Sequence, residues 1–388
     1  MKKKINFLLS CSAKHHYFEI AKILYQHGQL KKIISGYPWF KLKDYQIKKK
    51  FVSANGFYRI LRQPLLSSKH FKRFDNLLMN LNYNYIDNIT VKNIKKLDDI
   101  DVLLSFAGVG LKSGSKIKEK KKIYICDNAS PHVTEYKDIC VEEYKLFLNR
   151  EYYFNKQIYE NRLSEYDNAD IILTSSTYVK KTFEKYNHSN LKMIELGTNP
   201  SMFFPFKEIK KDKNYFDIIY IGRLTVLKGL HYLLDAFKNF KHPKKRLHII
   251  GTHTEEKEFF ENKLKSDDIF LYGHVNHHEI NKILNNSDVI VFPSLQDGWG
   301  LAVTEAAAAG CPSIVSENSG VADFVKKSES GFIIPIRNSN SILEKLQELS
   351  DNRDLLYKMS SNALKFSNIN TWENYVSELN ELIHNYKT

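Results

Sequence analysis

The stretch VIVFPSLQDGWGLAVTEAAAAGC, residues Val289–Cys311, decides the fold. Val289–Phe292 is a short, wholly apolar run, which suits a strand buried on both faces of a parallel sheet. Pro293-Ser294 ends it, and Gly298 and Gly300 flank Trp299 in the loop that follows. A helix of small residues then starts near Leu301 and stops at Gly310. Strand, glycine-bearing loop and small-residue helix form the unit in which backbone N–H groups meet a phosphate. Asp297 lies in the loop, and Glu305 lies about one turn inside the helix. Two carboxylates beside an anion site suit hydroxyl recognition, since each oxygen accepts from a sugar OH. A metal pair would need a third ligand, and no DxD-like one stands nearby. The alternative is a helix packed tightly for structural reasons, with Glu305 exposed.

Working outward, the same alternation runs almost end to end. Phe216–Ile221 is a buried strand leading into Gly222, and Leu230–Phe240 follows with Leu233, Leu234 and Phe237 on one helical face. Leu247–Ile250, Ile269–Tyr272, Ser313–Val315 and Phe332–Ile334 continue the series. Upstream, strands are expected at Ile5–Cys11, Lys32–Gly36, Asp101–Phe106, Ile123–Cys126 and Ile171–Thr174. Helices are expected at Tyr17–His27, Phe71–Leu97 and, as one long run, His132–Asn168. Strands alternating with helices imply parallel sheets covered on both faces. Leu196-Gly197-Thr198-Asn199-Pro200 and the polar run Lys207–Asn214 read as a linker. The chain therefore divides into a first domain over 1–200, a second over 201–367, and a last helix over 368–388. The stripe Trp372, Tyr375, Leu379 and Ile383 must be buried, and the first domain is a natural place for it.

In doubly wound sheets ligands bind outside the carboxyl ends of the strands. Gly222-Arg223-Leu224-Thr225-Val226-Leu227-Lys228-Gly229 is such a loop. Arg223 as a planar fork and Lys228 as a point charge suit a diphosphate, although two loop cations can also be simply solvated. In the first half, Cys126-Asp127-Asn128-Ala129-Ser130-Pro131-His132 follows a strand and opens a helix. His132 there can serve as acid, base or hydrogen-bond donor, or can be structural like most of the 14 histidines.

The 388 residues are 43% hydrophobic and 26% charged, as expected of a globular chain of two domains. No stretch has the roughly 20 apolar residues a membrane span needs, and the apolar run near the N-terminus is too short for a signal peptide. A cytoplasmic protein is expected. Cys11, Cys126, Cys140 and Cys311 are scattered, suggesting neither disulfides nor a zinc site. Residues 1–100 hold 20 Lys and Arg against 6 Asp and Glu, so the whole net charge of +14 sits in the first quarter. That field suits an anionic membrane face, with Tyr37–Phe74 as the docking region, or it is a solvated surface. Aromatics interleave with the charge (Trp39, Phe40, Tyr45, Phe51, Tyr58, Phe71, Phe74), as in nucleic-acid grooves, but no nucleic-acid motif accompanies them.

The series GRL…KG at 222–229, FPS…DGWGLAVTEA at 292–306 and Gly310-Cys311-Pro312 resembles the retaining, family-four (group one) nucleotide-sugar glycosyltransferases. Leu196–Pro205 is similar to that family's interdomain segment, and Gly273-His274-Val275 to its turn near the base. The resemblance implies the GT-B fold: two Rossmann-like α/β domains facing across a cleft, acceptor on the first and donor on the second. It implies that Arg223 and Lys228 bind the donor diphosphate, Asp297 faces the transferred sugar and Glu305 the ribose. Backbone around Gly298, Trp299, Gly300 and Leu301 would cover the sugar and phosphates, with Val275 near the base. It further implies a nucleotide diphosphate-sugar donor, a glycan or lipid-linked acceptor, retention of configuration, and no metal or cofactor. His132 is similar to an acceptor-side histidine of some members. Two departures stand out: Asp297 replaces the usual Glu, and Ser12-Ala13-Lys14-His15 replaces a glycine-rich loop, leaving Lys14 or His15 to supply charge. A GT-B epimerase or phosphorylase is the alternative.

Overall fold

The computed structural model describes residues 4–14, 16–62, 72–206, 214–252 and 256–387. Seven strands build the first sheet: β1 (Phe7–Cys11), β2 (Leu30–Ser35), β3 (Val52–Ala54), β4 (Val102–Phe106), β5 (Ile123–Asn128), β6 (Ile171–Thr174) and β7 (Leu191–Met193). Six build the second: β8 (Phe216–Ile221), β9 (Lys245–Ile250), β10 (Ile269–Gly273), β11 (Val289–Phe292), β12 (Ser313–Ser316) and β13 (Gly331–Ile334). Their orders are β3-β2-β1-β4-β5-β6-β7 and β10-β9-β8-β11-β12-β13. Every recorded pairing is parallel. The order reverses between β1 and β4 in one sheet and between β8 and β11 in the other, so a ligand crevice opens at the carboxyl ends of those strands. The central strands β1, β5, β6 and β11 are buried along their whole length, as apolar runs without alternation require.

Two features depart from the expected elements. The single helical run over 132–168 is two helices, Val133–Leu148 and Lys156–Asn168. Asn149 takes a left-handed conformation (φ 46°) and ends the first, and the Asn155 side chain accepts from Ile158 N–H to start the second. The edge strands β3 and β7, three residues each, were too short to show a period. Of the expected segments, Phe71 and 207–213 of the linker lie outside the described residues.

The chain crosses between the sheets twice at one place. Thr198 and Thr371 form an isolated parallel bridge, Thr198 N–H donates to Asn370 O (2.8 Å), and its hydroxyl donates to Asn370 O (2.7 Å) and Ser367 O (3.1 Å). A Cβ on Gly197 would run into the backbone of Thr371 and Trp372, so only glycine lets the two crossings touch. Beyond this crossing the last helix, Trp372–Lys387, lies along the first-domain helix Tyr17–Gln26. Trp372 stacks on His16 (5.9 Å between centroids, 4° between planes), and Asn380 and Gln29 exchange side-chain hydrogen bonds. Tyr375, Val376, Leu379 and Ile383 are buried. Leu379→Ala should therefore cost about 2–5 kcal/mol, the usual range for emptying a fully buried leucine site, read as a lowered urea midpoint.

Candidate functional site

Two loops at the carboxyl ends of β8 and β11 are pressed together. Gly222 N–H donates to Ile250 O (2.9 Å), which carries the strand pairing into the loop. Thr225 caps a short 3-10 turn at Val226–Lys228 by accepting from Lys228 N–H (3.3 Å). Gly229 then turns with φ 67°, and a Cβ there would sit inside the carbonyl of Pro293. Leu295 N–H donates to Leu227 O (3.0 Å), locking the two loops in register.

This packing brings Lys228 and Asp297 together as an ion pair, although 69 residues separate them. Lys228 Nζ also lies 5.7 Å from the centre of the Phe292 ring. The second Asp297 oxygen accepts from Trp299 N–H (3.2 Å), and its backbone is held on both sides by Asn318 O and Gly320 N–H (3.0 Å each). Asp297 is thus a fixed anion whose charge is met by Lys228. Arg223 is exposed, and its backbone carbonyl accepts from Tyr220 hydroxyl (2.8 Å). Gly300 (φ 104°) opens the helix Leu301–Ala308 with no capping side chain; Val303 N–H donates to Gly300 O (2.9 Å), and the N–H groups of Leu301 and Ala302 stand at the helix start, where an anion is favoured. Trp299 itself is buried and serves as packing for the loop.

Glu305 stands one turn along that helix, half-buried rather than exposed. Burial first, and then the Glu19 carboxylate on helix Tyr17–Gln26, push its carboxyl up to about 8. Burial likewise raises Glu19, against Lys22 and Lys14, which lower it. Lys14 lies 5.2 Å over the Tyr45 ring, while burial and then the charges of Lys14 and His274 lower His277. The loop after β1 and the turn Gly273–His277, which carries half-buried Val275, therefore share one end of the cleft. His15 lies outside the described residues.

The first domain touches the second directly beside Gly298. Ser175 hydroxyl donates to Gly298 O (2.7 Å), Thr177 N–H donates to Asp323 (2.6 Å), and a Cβ on Gly298 would collide with Ala129 O. Tyr136 and Tyr178 face the same space. Burial pushes Tyr136 up to about 12, with Arg223 acting in the opposite direction. Tyr178 is raised by burial, then by Glu135 and Asp297. No motif flagged these phenols, because nothing local distinguishes a tyrosine on an amphipathic helix from a packing residue.

His132 lies three residues beyond Ala129, whose carbonyl meets Gly298, and its ring turns into the first domain. Its imidazole is 1% exposed and caps helix Val133–Leu148, Nδ1 accepting from Thr134 N–H (3.3 Å). Tyr186 stacks on it at 4.2 Å, with Tyr166, Phe183 and His188 around it. Burial, with His188 adding to it, lowers the ring to about 4, so it is neutral at physiological pH. Among the described residues no group of three or more His, Cys, Asp or Glu is arranged to hold a metal ion.

The raised carboxyl of Glu305 has a testable consequence. Between pH 4.5 and about 8 the native state keeps a proton that the unfolded chain has lost, so stability falls as pH rises through that window. Glu305→Gln removes the penalty. Its Tm advantage over the wild type should grow from pH 5 to pH 8 and then level off, and a constant difference would contradict the burial described here.

Residues 203–366 match the family Glycosyl transferases group 1. The capsular polysaccharide biosynthesis glycosyltransferase CapM of Staphylococcus aureus is 28% identical over 240 residues, which span 55% of this chain and 62% of CapM, less than two thirds of that relative. Sucrose-phosphate synthase from Thermosynechococcus elongatus superposes with TM-score 0.74 at 15% identity, covering 99% of each chain. Anabaena HepE in complex with UDP superposes with TM-score 0.71 at 13% identity, covering 99% of this chain and 100% of that one. The two-domain GT-B architecture is shared along the whole length. Residues 203–366, most of its second half, are thus similar to the group 1 glycosyl transferases, within a two-domain architecture of the GT-B kind.

Proposed function

We propose that the protein is a retaining glycosyltransferase that moves a sugar from a nucleotide diphosphate-sugar to a glycan or lipid-linked acceptor in surface polysaccharide synthesis. The observation that carries this reading is the joining of Lys228, Asp297 and the uncapped start of helix Leu301–Ala308 in one cleft wall. In the free protein Asp297 neutralises Lys228. A donor diphosphate competes for Lys228 and adds Arg223 and the helix N–H groups as partners. Asp297, released, accepts from hydroxyls of the sugar, and Glu305 accepts from the ribose. As the bond from the anomeric carbon to the phosphate oxygen breaks, negative charge grows on that oxygen, where the two cations and the helix start stabilise it. The acceptor hydroxyl attacks from the same face and gives its proton to the departing phosphate, so no further base and no metal enter the scheme. The relative CapM and the UDP-bound HepE support the donor class and the polysaccharide setting.

Lys228→Ala should lower transfer by about 10²-fold or more with the cognate donor, as loss of one charge-stabilising donor usually does, and Glu305→Ala should weaken donor binding. The donor comes from a thermal-shift panel of UDP-, GDP-, ADP- and CMP-sugars. Near wild-type turnover in both variants would sink the assignment, while product from donor alone, or only with added phosphate, would favour an epimerase or phosphorylase.

We further propose that the protein works at the cytoplasmic face of a membrane. Between residues 37 and 74 ten Lys and Arg face one acid, Asp44. Phe40 is 62%, Phe57 59% and Ile60 59% exposed there. Cations beside exposed apolar side chains suit an anionic lipid surface, each cation adding ~1 kcal/mol. Residues 63–71 of this region lie outside the described residues, and among the described ones no helix is long and apolar enough to cross a membrane. Co-sedimentation with liposomes should rise with anionic lipid content and fall in a Lys48→Glu/Lys49→Glu/Lys50→Glu variant. Binding indifferent to lipid charge would count against docking.

A further inference from the structure

The helix Val133–Leu148 begins in the first domain, yet its second half belongs to the core of the second. Ile139 and Tyr144 are buried in the same apolar cluster as Phe216, Leu224, Val226 and Leu230. Phe147 packs on His231 with 4.3 Å between ring centres. Between them Glu143, fully buried, accepts from Arg337 Nε (2.8 Å) and Tyr232 hydroxyl (3.0 Å) and meets His231 Nε2 at 3.0 Å. Three second-domain groups converge on one first-domain carboxylate. A buried charge is held at such a place only when its oxygens are satisfied, so these bonds pin the helix axially and rotationally.

Tyr144, the next residue, carries that placement further. Its hydroxyl donates to Glu256 Oε1 (2.7 Å). The other oxygen of Glu256, a residue only 2% exposed, accepts from Val226 N–H (2.6 Å). Val226 lies between Arg223 and Lys228, at the start of the 3-10 turn that aims Lys228. The two oxygens of one buried carboxylate therefore join a first-domain hydroxyl to the backbone of the loop that carries both cations. Charge-assisted bonds to a carboxylate are short and directional, so the loop conformation follows the helix position.

We infer that Glu256 and Tyr144 are positioning residues: through them the first domain sets the conformation of the cation-bearing loop Gly222–Gly229, which is complete only when the helix Val133–Leu148 is seated. Their role in transfer rests on the reading of that loop as the donor diphosphate site, but their effect on the loop does not. Both residues are buried, Tyr144 4% and Glu256 2% exposed, and act through the loop backbone. The coupling makes the donor loop sensitive to the relative placement of the two domains, which a loop held only from within its own domain is not.

Amide hydrogen exchange of the full chain without ligand tests this, so its failure is distinct from a failure to find a donor. In Tyr144→Phe, which deletes one oxygen, amides of residues 222–229 should exchange about tenfold faster, the scale of one net hydrogen bond, while those of β8 and β9 keep their wild-type rates. Glu256→Ala should do the same. Glu256→Gln should restore protection, because its amide accepts from Val226 N–H and donates to the Tyr144 hydroxyl. Loop exchange at the wild-type rate in Tyr144→Phe and Glu256→Ala overturns the inference. So does a rise shared equally by β8 and β9, which would mark the pair as general supports of stability.

Discussion

The contact on which the cleft depends is a backbone one, between Gly298 and the first domain. Ser175 holds the Gly298 carbonyl, Ala129 O occupies the space a Cβ would fill, and Gly320 packs against the same carbonyl from behind. No side chain fits at that point. The consequence reaches in both directions along the chain. Downstream, Gly298 is followed by Trp299 and Gly300, so the place where the domains touch also fixes the start of helix Leu301–Ala308. Upstream, Asp297 is clamped between Asn318 and Gly320, which directs its carboxylate to Lys228. Domain approach and the geometry of the anion site are therefore one constraint.

That constraint explains which parts of the site could be read in advance. Buried parallel strands such as β8 and β11 announce themselves as apolar runs, and the loops after them carry glycines for reasons of backbone space. Lys228 and Asp297 were legible because each sits on such a loop. Glu143 was not: within Val-Glu-Glu-Tyr it looks like a solvated helix acid, and it is buried only because the helix runs into the other domain. The packing of His132 was hidden for the opposite reason. Its place before a helix is as good for a cap as for catalysis, and the rings that surround it, Tyr166, Phe183, Tyr186 and His188, come from up to 56 residues away. The break at Asn149 was invisible because a left-handed asparagine leaves no mark on hydrophobic periodicity.

The electrostatics of the cleft set terms for any ligand. Asp297, Glu305 and Glu19 line it, against Lys228 and Lys14 and the exposed Arg223. Glu305 responds to burial and to Glu19 by holding its proton, and Asp297 by pairing with Lys228. A bare diphosphate would take Lys228 and leave Asp297 an uncompensated, partly buried anion, at a cost comparable to the gain. A diphosphate joined to a sugar with free hydroxyls brings the replacement donors with it. Under the proposed function the carboxylates would favour the complete donor over the product nucleotide, and the same exchange would favour release once the sugar has left. Asp297 already meets Lys228 with one oxygen and the Trp299 N–H with the other, so a sugar hydroxyl would have to displace one of these partners to reach it.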